Sequence, residues 1–170
     1  PIAGLVSART DAQGRFSLSA PSGQPLGIEA VASEDLKAIK LGVTSGAGDL
    51  TLQLAPTGAL AGRVTTPEAP TVTNLEGVDV FVPGTTYVAK TAADGSYAFT
   101  SLPAGDFDVV ASKTGLGRGR LAAVTVRSKQ STQAPDLALS VAAAAITTIS
   151  PEVGLAGTQA TLRGAAFGLR

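Results

Sequence analysis

Residues 91–100 read TAADGSYAFT and carry two signals at once. Asp94-Gly95 is a dipeptide that tolerates positive φ at both turn positions, and flanked by alternating side chains it predicts a tight β-hairpin. After the turn, Tyr97 and Phe99 fall on one face of a strand and Ser96, Ala98 and Thr100 on the other. The hairpin is therefore expected to join Tyr87–Lys90 to Ser96–Leu102. The same wording occurs earlier, as TDAQGRFSLS over residues 10–19. Phe16 matches Tyr97 and Leu18 matches Phe99. Pro21-Ser22-Gly23 then matches Pro103-Ala104-Gly105, and Leu26, Ile28 and Ala30 match Phe107, Val109 and Ala111. An internal repeat at this spacing predicts one structural unit used twice.

Outward from the turn, the second copy resolves into short period-2 runs. Leu60, Gly62 and Val64 open it, and Val78, Val80 and Val82 alternate with Asp79 and Phe81. Phe107, Val109 and Ala111 share a face. Leu121, then Ala123 or Val124, and Val126 follow, and Leu137, Leu139 and Val141 close the unit. About seven strands in about 85 residues, with turn signals every 8–12, predict an all-β fold. The expected architecture is a tandem of antiparallel seven-stranded β-sandwich modules (Ig-like or prealbumin-like), the first and last truncated. The boundaries fall at 1–55, a partial module; 56–142, a complete one; and 143–170, the start of a third. The Ala-rich run from Ser140 to Thr148 reads as strand end and linker, with a short helix as the alternative. The chain lacks an initiator Met and starts and stops mid-pattern, so it reads as a fragment.

Composition excludes much chemistry. The chain has 170 residues, with 13 basic and 13 acidic side chains and no His, Cys, Met or Trp. A zinc site needs His or Cys, a thiol nucleophile needs Cys, and a Ser-His-Asp triad needs His. Neutral charge provides no field for nucleic acid. The most apolar stretch, Leu137 to Ile146, is half of the ~20 residues a membrane helix needs. No catalytic residue, cofactor or metal ligand is expected, and the chain is read as not an enzyme.

The second copy resembles the carboxypeptidase regulatory-like (transthyretin-like) domain family. The residues that carry the resemblance are Gly62, Val64, Val78, Val80, Thr91 through Asp94-Gly95 to Tyr97 and Phe99, Leu102-Pro103-Ala104-Gly105, and Phe107, Val109 and Ala111. The tail resembles the start of an IPT/TIG domain, through Ile149-Ser150-Pro151, Gly157, Leu162, Gly164, Phe167 and Gly168. The resemblance implies a structural or adhesive spacer in a large bacterial cell-envelope or secreted protein, in an extracellular or envelope setting. The partners it implies are neighbouring domains of the same chain, and a polysaccharide or surface protein. The related carbohydrate-binding-like fold makes a carbohydrate-binding module the competing reading.

Each motif with chemical potential has a plainer reading. Asp94-Gly95 resembles part of a calcium loop, but Ala92 and Ala93 stand where oxygen ligands are needed. Glu34-Asp35, Asp106 and Asp108 are the closest carboxylates, and strand neighbours do not face each other across a cleft as glycosidase pairs must. A Lys–Asn or Lys–Asp crosslink would use Asn74, or Lys90 with Asp136. Lys113, Arg118, Arg120, Arg127 and Lys129 form a basic run that suits a solvated, edge-protecting face. For sugar stacking the candidates are Tyr87 and Phe81, because neither has an aromatic counterpart in the first copy. Tyr97 and Phe99 do, and are expected in the core.

Overall fold

The computed structural model describes residues 6–19, 23–46, 48, 50–140, 145–150, 153, 159 and 161–165. Every regular element among them is a strand. The chain forms β1 (Leu26–Ser33), β2 (Leu36–Val43), β3 (Ala55–Pro56) and β4 (Gly58–Thr65). It continues with β5 (Asp79–Phe81), β6 (Val88–Lys90), β7 (Ser96–Leu102), β8 (Gly105–Lys113) and β9 (Gly117–Val126). Short strands β10 (Ser131–Gln133) and β11 (Leu137–Ala138) follow, then β12 (Ala145–Ser150) and β13 (Thr161–Ala165).

Two sheets face each other between Gly58 and Ser140. In one, β4 is flanked by β7 on one edge and by β10 and then β11 on the other. The second runs β6-β5-β8-β9, antiparallel throughout. Period-2 alternation puts Leu60 and Val64 from β4, Val80 from β5, Tyr97 and Phe99 from β7, and Phe107 and Val109 from β8 into one core. Val78, Val82, Val126, Leu137 and Leu139 complete it, each at most 1% exposed. Full burial of such side chains contributes about 1.5–3 kcal/mol each. The inward assignments made from alternation hold, Tyr97 and Phe99 included; Val141 lies outside the described residues.

Within the second copy two expectations fail, for related reasons. The first is antiparallel pairing throughout: β10 and β11 run parallel to β4, with Thr132 beside Leu60 and Leu137 beside Val64. A strand that returns from the opposite sheet can enter beside β4 in either direction, and local pattern does not record which. The second is the hairpin at Asp94-Gly95. β6 pairs with β5 and β7 with β4, so the turn carries the chain from one sheet to the other. A tight turn does form, but with positive φ at Gly95 alone (+84°) and not at Asp94, and the Gly95 N–H donates to the Ala92 carbonyl at 2.9 Å. Ahead of the turn, the buried Thr91 hydroxyl donates to the Leu75 carbonyl and accepts from the Val78 N–H. This side chain fixes where β6 ends.

The sandwich is pinned shut along one side. The Ser140 N–H donates to the Arg118 carbonyl at 3.2 Å, linking the end of the first sheet to β9 in the second. Gly119 makes this approach possible, since a Cβ there would lie 2.2 Å from the Ala138 carbonyl oxygen.

In the first copy, residues 6–19 contain no strand, and Phe16 and Leu18 are half-buried. Among the described residues its first strand begins at Leu26, and β1, β2 and β3 form a three-stranded sheet. In the tail, β12 and β13 pair antiparallel, so the alternating segments around Ile149 and Leu162 do form strands. Ala145–Thr148 is extended, against the alternative of a short helix; residues 141–144 lie outside the described residues.

Candidate functional site

Phe81 follows the fully buried Val80 on β5, and alternation turns it to the outer face of the β6-β5-β8-β9 sheet. Register sets Val88, Phe81, Val110 and Arg120 in one row across four strands, and Lys90, Asp79, Ser112 and Arg118 in the next. The Arg118 guanidinium lies over the Phe81 ring, 5.9 Å from its centroid. That contact contributes about 0.5–1 kcal/mol at an exposed site. Lys90 Nζ pairs with Asp79 Oδ1 at 2.6 Å, and Arg120 with Asp108 Oδ2 at 2.6 Å. Both pairs are solvated and stabilise little. The basic run therefore splits, with Arg118 on an aromatic ring and Arg120 on a carboxylate.

Asp108 has a second task. Register shifts between Phe107/Val124 and Val109/Leu121, which leaves an extra residue on β9, and Ala123 takes φ +52° there. Asp108 Oδ1 accepts the Ala123 N–H at 3.2 Å. The Arg120 hydrogen bond, followed by that backbone N–H, holds the Asp108 carboxyl below the ordinary carboxylate range.

Tyr87 lies just before β6, and its environment is different. Its hydroxyl donates to the Glu29 carboxylate on β1, and the Lys37 ammonium of β2 sits 5.4 Å from its ring centroid. Burial first, then the hydrogen bond to Glu29 and its charge, pushes the Tyr87 hydroxyl well above its usual pKa. Around it the β1–β2 hairpin is tied down at several points. The Ser101 hydroxyl donates to the Glu34 carbonyl, Lys37 Nζ donates to the Ser101 carbonyl at 3.3 Å, and the Thr57 N–H donates to the Asp35 carbonyl at 2.9 Å. At Gly27 a Cβ would sit 2.4 Å from the Gly84 carbonyl oxygen, so the two backbones touch. Ile39 of β2 packs on the sandwich core.

The two sugar-stacking candidates thus sit on either side of the β5–β6 turn with separate partners. Phe81 is beneath Arg118, and Tyr87 is a seat for the hairpin. Glu29, Lys37 and Ser101 were given no role from sequence, and Glu34 was weighed only as one of the closest carboxylates. Each looks like an ordinary polar strand or turn position, and only docking gives it a role.

The remaining motifs make local contacts. Asp94 Oδ1 accepts the Ser96 N–H at 3.0 Å and the Ser96 hydroxyl at 2.7 Å, which lowers its pKa. Asn74 Oδ1 accepts the Glu76 N–H, an Asx turn. Lys90 is paired with Asp79 rather than with Asp136, the crosslink partner weighed from sequence. Asp106 accepts from the Thr125 hydroxyl, beside Asp108 on an open sheet face. A surface depression along β9 and β10, lined by Val124, Arg127, Gln130 and Thr132 among others, contains no carboxylate. Another, where the hairpin meets β4, holds Asp35 and Lys129. Among the described residues no three His, Cys, Asp or Glu side chains gather as a metal site. No helix among them is long and apolar enough to cross a membrane.

Comparison with known structures returns weak likenesses. Two come from mutants of a type II cohesin–X-dockerin complex of Acetivibrio cellulolyticus, one altered at a C-terminal interface and one at an N-terminal interface. The first is 20% identical with a TM-score of 0.40, over 46% of this chain and 52% of that one. For the second the values are 19% and 0.39, over 49% and 59%. The chain thus spans little more than half the length of these structures. No curated protein matches it. The family comparison is more specific: residues 59–140, from β4 to the bridge at Ser140, match the carboxypeptidase regulatory-like domain.

Proposed function

We propose that the chain is a non-enzymatic structural and adhesive spacer, built from tandem seven-stranded β-sandwiches in a large bacterial cell-envelope or secreted protein. The observation that carries this reading is the docking of the β1–β2 hairpin. Glu29, Glu34, Asp35 and Lys37 bond to Tyr87, Ser101 and Thr57, across a backbone contact at Gly27. A joint held at this many points fixes direction, which is what a spacer requires of consecutive units. The sealed core and the charge-paired outer face fit the same role, because they leave the described surface without a cleft where reactive groups converge. The family match over residues 59–140 supports a β-sandwich accessory domain of this kind.

The competing reading is a carbohydrate-binding module that stacks sugar on Phe81 or Tyr87. A glycan array and affinity gels run with the full chain separate the two. The spacer reading expects no saturable binding. Saturable binding that is lost in Phe81→Ala or Tyr87→Ala would replace it with the carbohydrate reading.

A further inference from the structure

The first and last strands of the sandwich are neighbours and run the same way. β4 enters the module at Gly58, and β10 and β11 leave it toward Ser140. Force applied along the chain would pull β4 from its start and β11 from its end. These pulls are opposite in direction and act on adjacent parallel strands, so the bonds between the strands lie across the force. Bonds in that arrangement share the load. Bonds pulled from one end open one after another.

The ladder is long for such short strands. Lys129 N–H donates to the Thr57 carbonyl at 2.8 Å, and Ala59 N–H to the Gln130 carbonyl at 2.9 Å. Ala134 N–H donates to the Ala61 carbonyl at 2.7 Å, and Leu139 N–H to the Thr65 carbonyl at 2.8 Å. At ~3.3 Å per residue, the contact from Thr57 to Thr65 extends about 26 Å. Sliding would also drag Leu137 and Leu139, both fully buried, past Leu60 and Val64. On its far side the departing strand is held to β9 by the Ser140–Arg118 bond.

We propose that residues 57–140 form a load-bearing clamp, in which tension passing through the chain is resisted by the β4–β10/β11 ladder in shear. The use of this clamp in a surface protein rests on the spacer reading, but the resistance itself depends only on strand order.

The test is single-molecule pulling of the full chain through paired cysteine handles, which are unique because the sequence has no Cys. Gln53→Cys with Ser140→Cys applies shear. Glu68→Cys with Ser140→Cys places both handles at the same end of the two strands and peels them apart. All three positions are exposed, so the comparison reads direction rather than stability. With the ladder bonds loaded together rather than one at a time, the shear pair should rupture at roughly two- to fourfold higher force. Equal forces, or a stronger peeling pair, overturn the clamp and leave the spacer reading intact. Saturable glycan binding would do the reverse, removing the spacer reading while the force ratio stands.

Discussion

Tyr97 is read from sequence as a core residue because its position repeats Phe16, and the structure buries it to 4% exposure. Its ring meets Phe99 edge-on, with centroids 6.1 Å apart, and lies against Gly62, where a Cβ would come within 2.4 Å of the hydroxyl oxygen. The hydroxyl is what sequence pattern does not explain. Among the described residues it has no hydrogen-bond partner. Burial, and behind it the charge of Asp136, raises its pKa. A buried hydroxyl left without a partner costs about 1–3 kcal/mol, whereas the ring alone belongs in the core. Tyr97→Phe should therefore hold or raise stability, by up to about 1 kcal/mol in chemical denaturation. A loss of more than that size would mean that the hydroxyl has a bond worth keeping.

Strand position was legible where one side chain in two turns inward: β4, β5, β7 and β8 lie where Leu60, Val80, Phe99 and Phe107 put them. Partner choice was not. Asp94-Gly95 specifies a tight turn, but whether the following strand folds back on β6 or crosses to β4 depends on the bonds of Thr91 to Leu75 and of Gly95 to Val64, partners distant in sequence. The β9 bulge is hidden for a similar reason. Nothing in Leu121-Ala122-Ala123-Val124 marks the extra residue, and the side chain that stabilises it is Asp108 on the neighbouring strand. That arrangement makes the β8–β9 pair sensitive to acid. Asp108 titrates below its ordinary 3.8 in the folded chain, so its contribution is complete above that value and is lost as pH falls through the lower folded value. Carbon-detected NMR titration should find its midpoint depressed. Arg120→Ala should move the midpoint back toward 3.8, since the Arg120 hydrogen bond is the largest cause of the shift. A midpoint unchanged by Arg120→Ala would show that the ion pair is not formed in solution.

Over the whole chain, the division at residue 55 follows a change in pattern, but Ala55-Pro56 is itself strand β3, paired with Leu36 and Lys37 of β2. The stretch across the expected boundary is therefore continuous with the hairpin sheet and leads straight into β4. This geometry separates two levels of stability. The sandwich holds a closed apolar core, while β1 and β2 rest on it largely through polar contacts and a half-buried strand face. Local opening follows the weaker set of contacts. The hairpin should release as a unit before the sandwich unfolds, and Tyr87 is its most specific anchor. Tyr87→Ala should speed amide exchange across Leu26–Ser33 and Leu36–Val43 by roughly tenfold, the effect of losing about 1.4 kcal/mol, and leave Leu60, Val109 and Leu137 at their original rates. In the unaltered chain the same release should follow alkaline pH. The folded Tyr87 hydroxyl keeps its proton above the ordinary 10.0, so its contribution is full below that value and is lost as pH rises beyond it. Exchange that accelerates equally in hairpin and core would mean that the two open together. The docked hairpin would then be part of the sandwich's own cooperative unit rather than a separate element placed on its end.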